Sequence, residues 1–251
     1  MKRIIALLFV CIFAVTALTA CSIFPRIPSQ RPTEPAVTTP TAAAVTEAPV
    51  QTEAPAPTAA PIGTLDSYVK TAKKASFTFE GGNTKTYQIP EILLDSADAA
   101  AANSEIMDRF GDDVREYDEY SPVSALDYEA YLNDEYLSVI ITGKFDGGNS
   151  YGLCYTFNVT NGNELNSSTL CSATGRDYNT ALSKLSENLT AEYDEKYASL
   201  PSNDGERSKT LDDANIKAAK MYLDGSGKLM AMTDVYAAVG GGHWVYSIPA
   251  E

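Results

Sequence analysis

The chain has 251 residues, with 19 Lys and Arg against 33 Asp and Glu and a formal net charge of −14 at pH 7. That excess of acid excludes nucleic acid, and anionic lipid or wall polymer, as the main electrostatic partner, and it would steer cationic proteins towards the surface. It also fits a soluble acidic domain with no charged partner.

Lys2 and Arg3 precede an apolar run, Ile4 to Ala17, that is too short for an ordinary transmembrane helix. The run ends in Leu18-Thr19-Ala20-Cys21. This arrangement resembles the lipobox of bacterial lipoproteins, which implies a signal peptide over 1–20, cleavage before Cys21 and a diacylglyceryl group on its sulfur. Loss of Lys2 and Arg3 with the leader takes the net charge from −14 to −16. Two acyl chains bury enough methylene to hold a protein on a membrane. The expected location is the extracytoplasmic face of a bacterial cell membrane.

Residues 21–63 read as a linker. Nine of the 13 prolines lie here among Thr, Ala and Glu, and "TEAP" occurs at 46–49 and again at 52–55. Such a segment has too little apolar surface to fold. At about 3.1 Å per residue it could extend on the order of 120 Å.

Residues 64–251 form one globular unit of ordinary domain size, which could divide into two small sub-lobes. Leu65 to Phe79 is expected to end in a strand, with a turn at Gly81-Gly82-Asn83. "TKTYQIPEIL" (84–93) reads as a second strand that Pro90 confines to an edge or a break. Asp95 or Ser96 can cap a helix to about Tyr117, with Ile106, Phe110 and Val114 on its buried stripe and Gly111 weakening its last turns. Strands then follow: "ALDYEAYL", a break at Asn133-Asp134, "EYLSVIITGKF", the "GGNSYG" loop and "LCYTFNV". Asn161-Gly162 is a hairpin signal into "NELNSSTL". Tyr178, Leu182, Leu185, Leu189, Tyr193 and Tyr197 share one face of a second helix over 178–198. After the loop "PSNDGERS", "IKAAKMYLD" and "KLMAMTDVY" flank Gly225-Ser226-Gly227 as a hairpin, and "WVYSIP" is a last strand. The expected class is α+β: antiparallel sheet with two main flanking helices.

Beyond Cys11 and Cys21, the chain has Cys154 and Cys171. An extracytoplasmic setting permits a disulfide. A hairpin centred on Asn161-Gly162 would place Cys154 opposite about residue 169, a diagonal away from Cys171. The alternative is two small buried hydrophobes.

"VGGGHW" (239–244) gathers three glycines with the only His and the only Trp. No second metal ligand stands at helical or hairpin spacing from His243, and no Gly-x-Ser-x-Gly elbow offers it a nucleophile. The run therefore reads as a glycine turn whose Trp244 packs at an edge or anchors a contact. The acid-dense "DDVREYDEY" (112–120) lacks the Asp/Asn alternation, glycine and distal glutamate of a calcium loop. Met230 and Met232 share a strand face and read as packing rather than as soft-metal ligands. No metal or cofactor is expected.

Three stretches carry a wider resemblance: "YQIPEILLDSADAAAANSEI" with its Asn103-x-x-Ile106 element, "YLSVIITGKFDGGNSYGLCYTFNVTNGNEL", and "MYLDGSGKLMAMTDVYAAVGGGHWVYSIP". Together they resemble the extracytoplasmic domain of unknown function of RsiV-type anti-sigma factors and PdaC-type peptidoglycan deacetylases, over most of 75–250. The resemblance implies an α+β fold in which a Leu after the Asn161-Gly162 turn opens a helix, and binding of lysozyme, a cationic enzyme. Two departures stand out. Asn149-Ser150-Tyr151 follows Gly147-Gly148 where the family often has a histidine. Cys21 replaces the membrane span and sigma-binding segment, so neither anti-sigma nor deacetylase activity is expected.

The resulting expectation is a non-enzymatic, lipid-anchored surface domain binding a cationic protein such as lysozyme or a cell-wall component, with Tyr151, Tyr236 and Trp244 as candidate contacts. The alternatives are an envelope hydrolase using a carboxylate pair and a purely structural lipoprotein.

Overall fold

A computed structural model of the chain describes residues 62–78, 82, 84–115, 123–145, 149–200, 204–238 and 242–251. The signal peptide, Cys21, the linker as far as Pro61, most of the acid-dense run, Gly147-Gly148 and Val239 to Gly241 lie outside the described residues. Among the described residues no helix is long and apolar enough to cross a membrane.

The fold is α+β. A five-stranded sheet runs in the order β1 (Val69–Thr78), β2 (Thr84–Ile92), β3 (Val123–Asn133), β4 (Tyr136–Phe145), β5 (Ser150–Asn158). A three-stranded sheet runs β6 (Lys220–Leu223), β7 (Leu229–Tyr236), β8 (His243–Pro249). All neighbours are antiparallel except β2 and β3, which pair in parallel over Thr86↔Ala125 and Tyr87↔Leu126. Parallel neighbours need a long crossover, and α1 (Ala97–Arg115) is within it. Pro90 lies in β2 beyond the β3 pairing, facing the irregularity between Thr71 and Lys73 of β1, where its missing N–H breaks no ladder.

Ser96 caps α1, its Oγ accepting from Ala99 N at 3.1 Å. Ala99, Ala102, Ile106 and Phe110 of α1 pack against Tyr87, Ile89, Leu126, Leu137, Val139, Ile141 and Phe157 of the large sheet. Burying each large apolar side chain contributes about 1.5–3 kcal/mol. Asn103 adds a directional tie: its amide donates to Ile92 O and accepts from Ile92 N, both at 2.8 Å. It does for the end of β2 what another strand would do. The small sheet has its own core with α3 (Tyr178–Tyr197), whose Ala181, Leu185, Leu189 and Tyr193 are buried against elements that include Ile248, Ala231 and Val235.

Several short elements differ from expectation. "NELNSSTL" makes no strand. Gly162 takes a left-handed φ of 74°, but the chain then forms one isolated bridge, Phe157↔Glu164, and enters helix α2 (Ser167–Ala173). Asn166 decides this by capping: its side chain accepts from Thr169 N at 2.9 Å. "PSNDGERS" is helical from Asp204, in α4 (Asp204–Thr210). "IKAAKMYLD" is strand only from Lys220, because Asp212 caps α5 (Asp213–Ala218) through Ala214 N at 2.7 Å. With Cys171 on α2 and Cys154 on β5, the two do not bridge. Both are free and buried in separate apolar clusters, Cys171 against Met221 and Cys154 beside Ile140, Tyr222 and Met232.

The sheets are joined through the edges of the small one. Ala250 N bonds Leu229 O and Asp224 N bonds Lys228 O, which sets the ladder phase. Met221 and Leu223 then point their backbone groups away from β7. Ser167 Oγ accepts from Met221 N (3.1 Å) and donates to Ala219 O (2.8 Å), Thr156 Oγ1 donates to Met221 O (3.2 Å), and Ser138 Oγ accepts from Leu223 N (3.1 Å). Where β6 stops, Asn215 donates to Asp234 O and Thr210 Oγ1 accepts from Tyr236 N. Ser138, Thr156, Ser167 and Thr210 are all buried.

Ser138→Ala leaves the Leu223 N–H buried without an acceptor and should lower unfolding stability by about 1–3 kcal/mol. Urea denaturation checks this, and an unchanged midpoint would contradict it.

Burial also holds several weak acids neutral. It pushes Tyr131, aided by Glu129, and the Cys154 thiol up to about 12, and it raises Tyr155 and Tyr222. In the unfolded chain these groups ionise at their ordinary values, 9.0 for Cys and 10.0 for Tyr. Unfolding then releases protons, so this stability is present below pH 9 and is lost as pH rises towards 12. Thermal scans should show the melting temperature falling steadily across that range. A flat profile would contradict the burial of these groups.

Candidate functional site

The contact between β5 and β8 forms a cleft of about 280 Å³ lined by Arg109, Tyr151, Gly152, Leu153, Asp234, His243, Trp244 and Val245. Ser150 Oγ fixes one strand to the other by donating to Val245 O at 2.6 Å. Across the cleft runs a row of rings from three layers. Phe110 of α1 lies 5.8 Å from Tyr151, Tyr151 lies 5.1 Å from Phe145 of β4, and Phe145 meets Trp244 edge-on at 5.5 Å. Such offset and edge contacts add about 0.5–1.5 kcal/mol per pair beyond burial.

Two glycines make room for the row. A Cβ on Gly143, paired with Tyr151 across β4 and β5, would fall 2.2 Å from the Tyr151 ring. A Cβ on Gly242 would fall 2.8 Å from the indole of Trp244. Gly152 is more constrained still, with the carbonyl oxygen of Ile141 2.2 Å from its ideal Cβ position. Glycine inside a strand pattern signals such close approach, so Gly143 in "ITGKF" is the sequence signal for the floor of this cleft.

Of the three expected contact residues, Tyr151 and Trp244 come together here, both half-buried. Tyr236 does not line the cleft. It faces its ladder partner His243, rings 5.7 Å apart, with Lys209 Nζ 5.7 Å from the centre of its ring. The exposed His243 is the link between the two. Phe145, Arg109 and Asp234 were not singled out by their sequence pattern. Arg109 sits on the exposed side of α1, and Asp234 faces outward on β7 where β6 has ended.

A second groove of about 260 Å³ separates β5 from α5 and is lined in part by Glu105, Glu164 and Asp234. Two of these acids have partners: Tyr155 donates to Glu105 at 2.8 Å, and Lys220 lies 3.4 Å from Glu164. Cys154 also lines it, but burial raises its pKa and keeps it a thiol rather than a nucleophilic thiolate. Among the described residues no three His, Cys, Asp or Glu side chains are grouped to hold a metal ion.

Neither a protein-family model nor a curated protein sequence matches the chain.

Gly143→Ala should displace the Tyr151 ring and break the row, lowering stability by about 1–3 kcal/mol. Trp244, the only tryptophan, reports the change directly: its emission should shift to the red. Emission identical to that of the parent protein would show that the row does not depend on Gly143.

Proposed function

We propose that this chain is a lipid-anchored, extracytoplasmic binding domain without catalytic activity, whose partner is a cationic protein of the lysozyme kind. The observation that carries this is the cleft itself. Tyr151 and Trp244, distant in sequence, meet half-exposed in one concavity of a chain with a net charge of −14. Aromatic anchors in a partly desolvated pocket dominate many protein interfaces, and acidic surroundings speed and select cationic partners. The likeness of 75–250 to the RsiV-type extracytoplasmic domain supports the same reading, as does the lipobox-like Leu18-Thr19-Ala20-Cys21 for the anchor. A cell-wall component is the second partner class, and a hydrolase the rival. The hydrolase reading is less well supported because Glu105 and Glu164 are already engaged by Tyr155 and Lys220, whereas glycoside cleavage needs two carboxyls facing one bond.

The test is capture of lysozyme, with isolated peptidoglycan in parallel, at low and high salt. Lysozyme should be retained at low salt and lost as the Debye length contracts below about 10 Å. Trp244→Ala should weaken retention by about 2 kcal/mol. Absence of retention at low salt, or retention indifferent to Trp244→Ala, would overturn the proposal.

A further inference from the structure

The outer edge of β8 is closed at two points and open between them. The ladder that joins Ala237 to Gly242 and Leu229 to Ala250 turns the backbone groups of Trp244, Tyr246 and Ile248 towards β7. Those of His243, Val245, Ser247 and Pro249 point outward. The Val245 carbonyl is taken by Ser150 Oγ at 2.6 Å and the Pro249 carbonyl by Asn188 Nδ2 at 2.9 Å. Pro249 has no N–H to offer. The His243 groups and Val245 N–H lie beyond the Ser150 contact, and between the two closures Ser247 N–H and Ser247 C=O have no partner among the described residues. They border a groove of about 380 Å³ whose lining includes Thr142, Ser150, Met232, Glu192 and Lys196. Elsewhere on the small sheet, side chains engage Met221 N–H and C=O, Leu223 N–H, Asp234 C=O and Tyr236 N–H.

We propose that this window binds a short extended peptide segment of a partner protein, added as a partial strand on β8. A ligand residue opposite Ser247 accepts from its N–H and donates to its C=O. Outward positions recur every two residues, about 6.8 Å apart, so three ligand residues span the opening. Strand addition of this kind takes its affinity from main-chain bonds. A second copy of this chain is a poor occupant, because Pro249 and Ser150 shorten the pairing to two groups. The chain's own 21–63 segment is poorer, being rich in proline and carrying Glu34, Glu47 and Glu53 against only Arg26 and Arg31. A cationic segment suits the net charge of −14 and the Glu192 wall. The Lys196 ammonium is turned onto the Tyr246 ring, 4.2 Å from its centre.

The probe is acetyl-Val-Lys-Val-amide, titrated into the nitrogen-15-labelled full chain. The Ser247 amide resonance should shift saturably and its hydrogen exchange should slow. Methylating the peptide's inner backbone nitrogens should weaken binding about tenfold or more. Ser247→Pro should abolish binding, Ser247→Ala should retain it, and Trp244→Ala should leave it unchanged, which separates this window from the aromatic cleft. Should Ser247→Pro fail to fold, the methylated peptide carries the test without a protein variant. The proposal is overturned if that amide does not respond, if methylation has no effect, or if folded Ser247→Pro binds like the parent protein.

Discussion

A three-stranded sheet has as much edge as interior, and an edge strand inside a domain carries backbone groups that must find partners away from water. In this protein those partners are side chains. Ser138 and Thr156 reach out from the far face of the large sheet, and Ser167 from α2, to take Met221 N–H and C=O and Leu223 N–H of β6. Thr210 and Asn215 each take one outward group of β7, and Ser150 and Asn188 each take one carbonyl of β8. Each hydroxyl is a directional bond between elements that apolar packing alone would leave free to slide. A buried donor left unpaired costs about 1–3 kcal/mol, so the set specifies one relative placement of the two sheets.

The position of the cleft follows from that placement. With β6 held against β4 and β5, β8 is brought beside β5, and Ser150 closes the contact. Only then can Trp244 reach Phe145, and through it Tyr151 and Phe110. The glycines at 143 and 242 clear the space that these rings fill. Recognition by the cleft would thus rest on residues far from it that never touch a partner.

Much of the fold was legible where periodicity is strong. The Ile106 and Phe110 stripe of α1, the Leu185, Leu189 and Tyr193 stripe of α3, and the β3–β4 hairpin around Asp134 all follow from spacing and turn chemistry. The α+β class followed from them. The short helices α2, α4 and α5 did not, because each has only six or seven residues. At that length no apolar period can be read, and a single cap, Asn166 or Asp212, decides between helix and strand. The parallel pairing of β2 with β3 spans two residue pairs and left no mark in the sequence. Within the cleft, Tyr151 and Trp244 were visible as rare aromatic residues beside glycines. Phe145, Arg109 and Asp234 were not, since their proximity comes from the joint between the sheets rather than from any local pattern.

That joint can be tested amide by amide through native-state hydrogen exchange. Met221, Leu223 and Tyr236 donate their N–H to Ser167, Ser138 and Thr210 rather than to a neighbouring strand. If side chains close the edges of the small sheet, these three amides exchange as slowly as the ladder amides of β7, opening only with global unfolding. Exchange at the rate of a frayed edge would contradict the account.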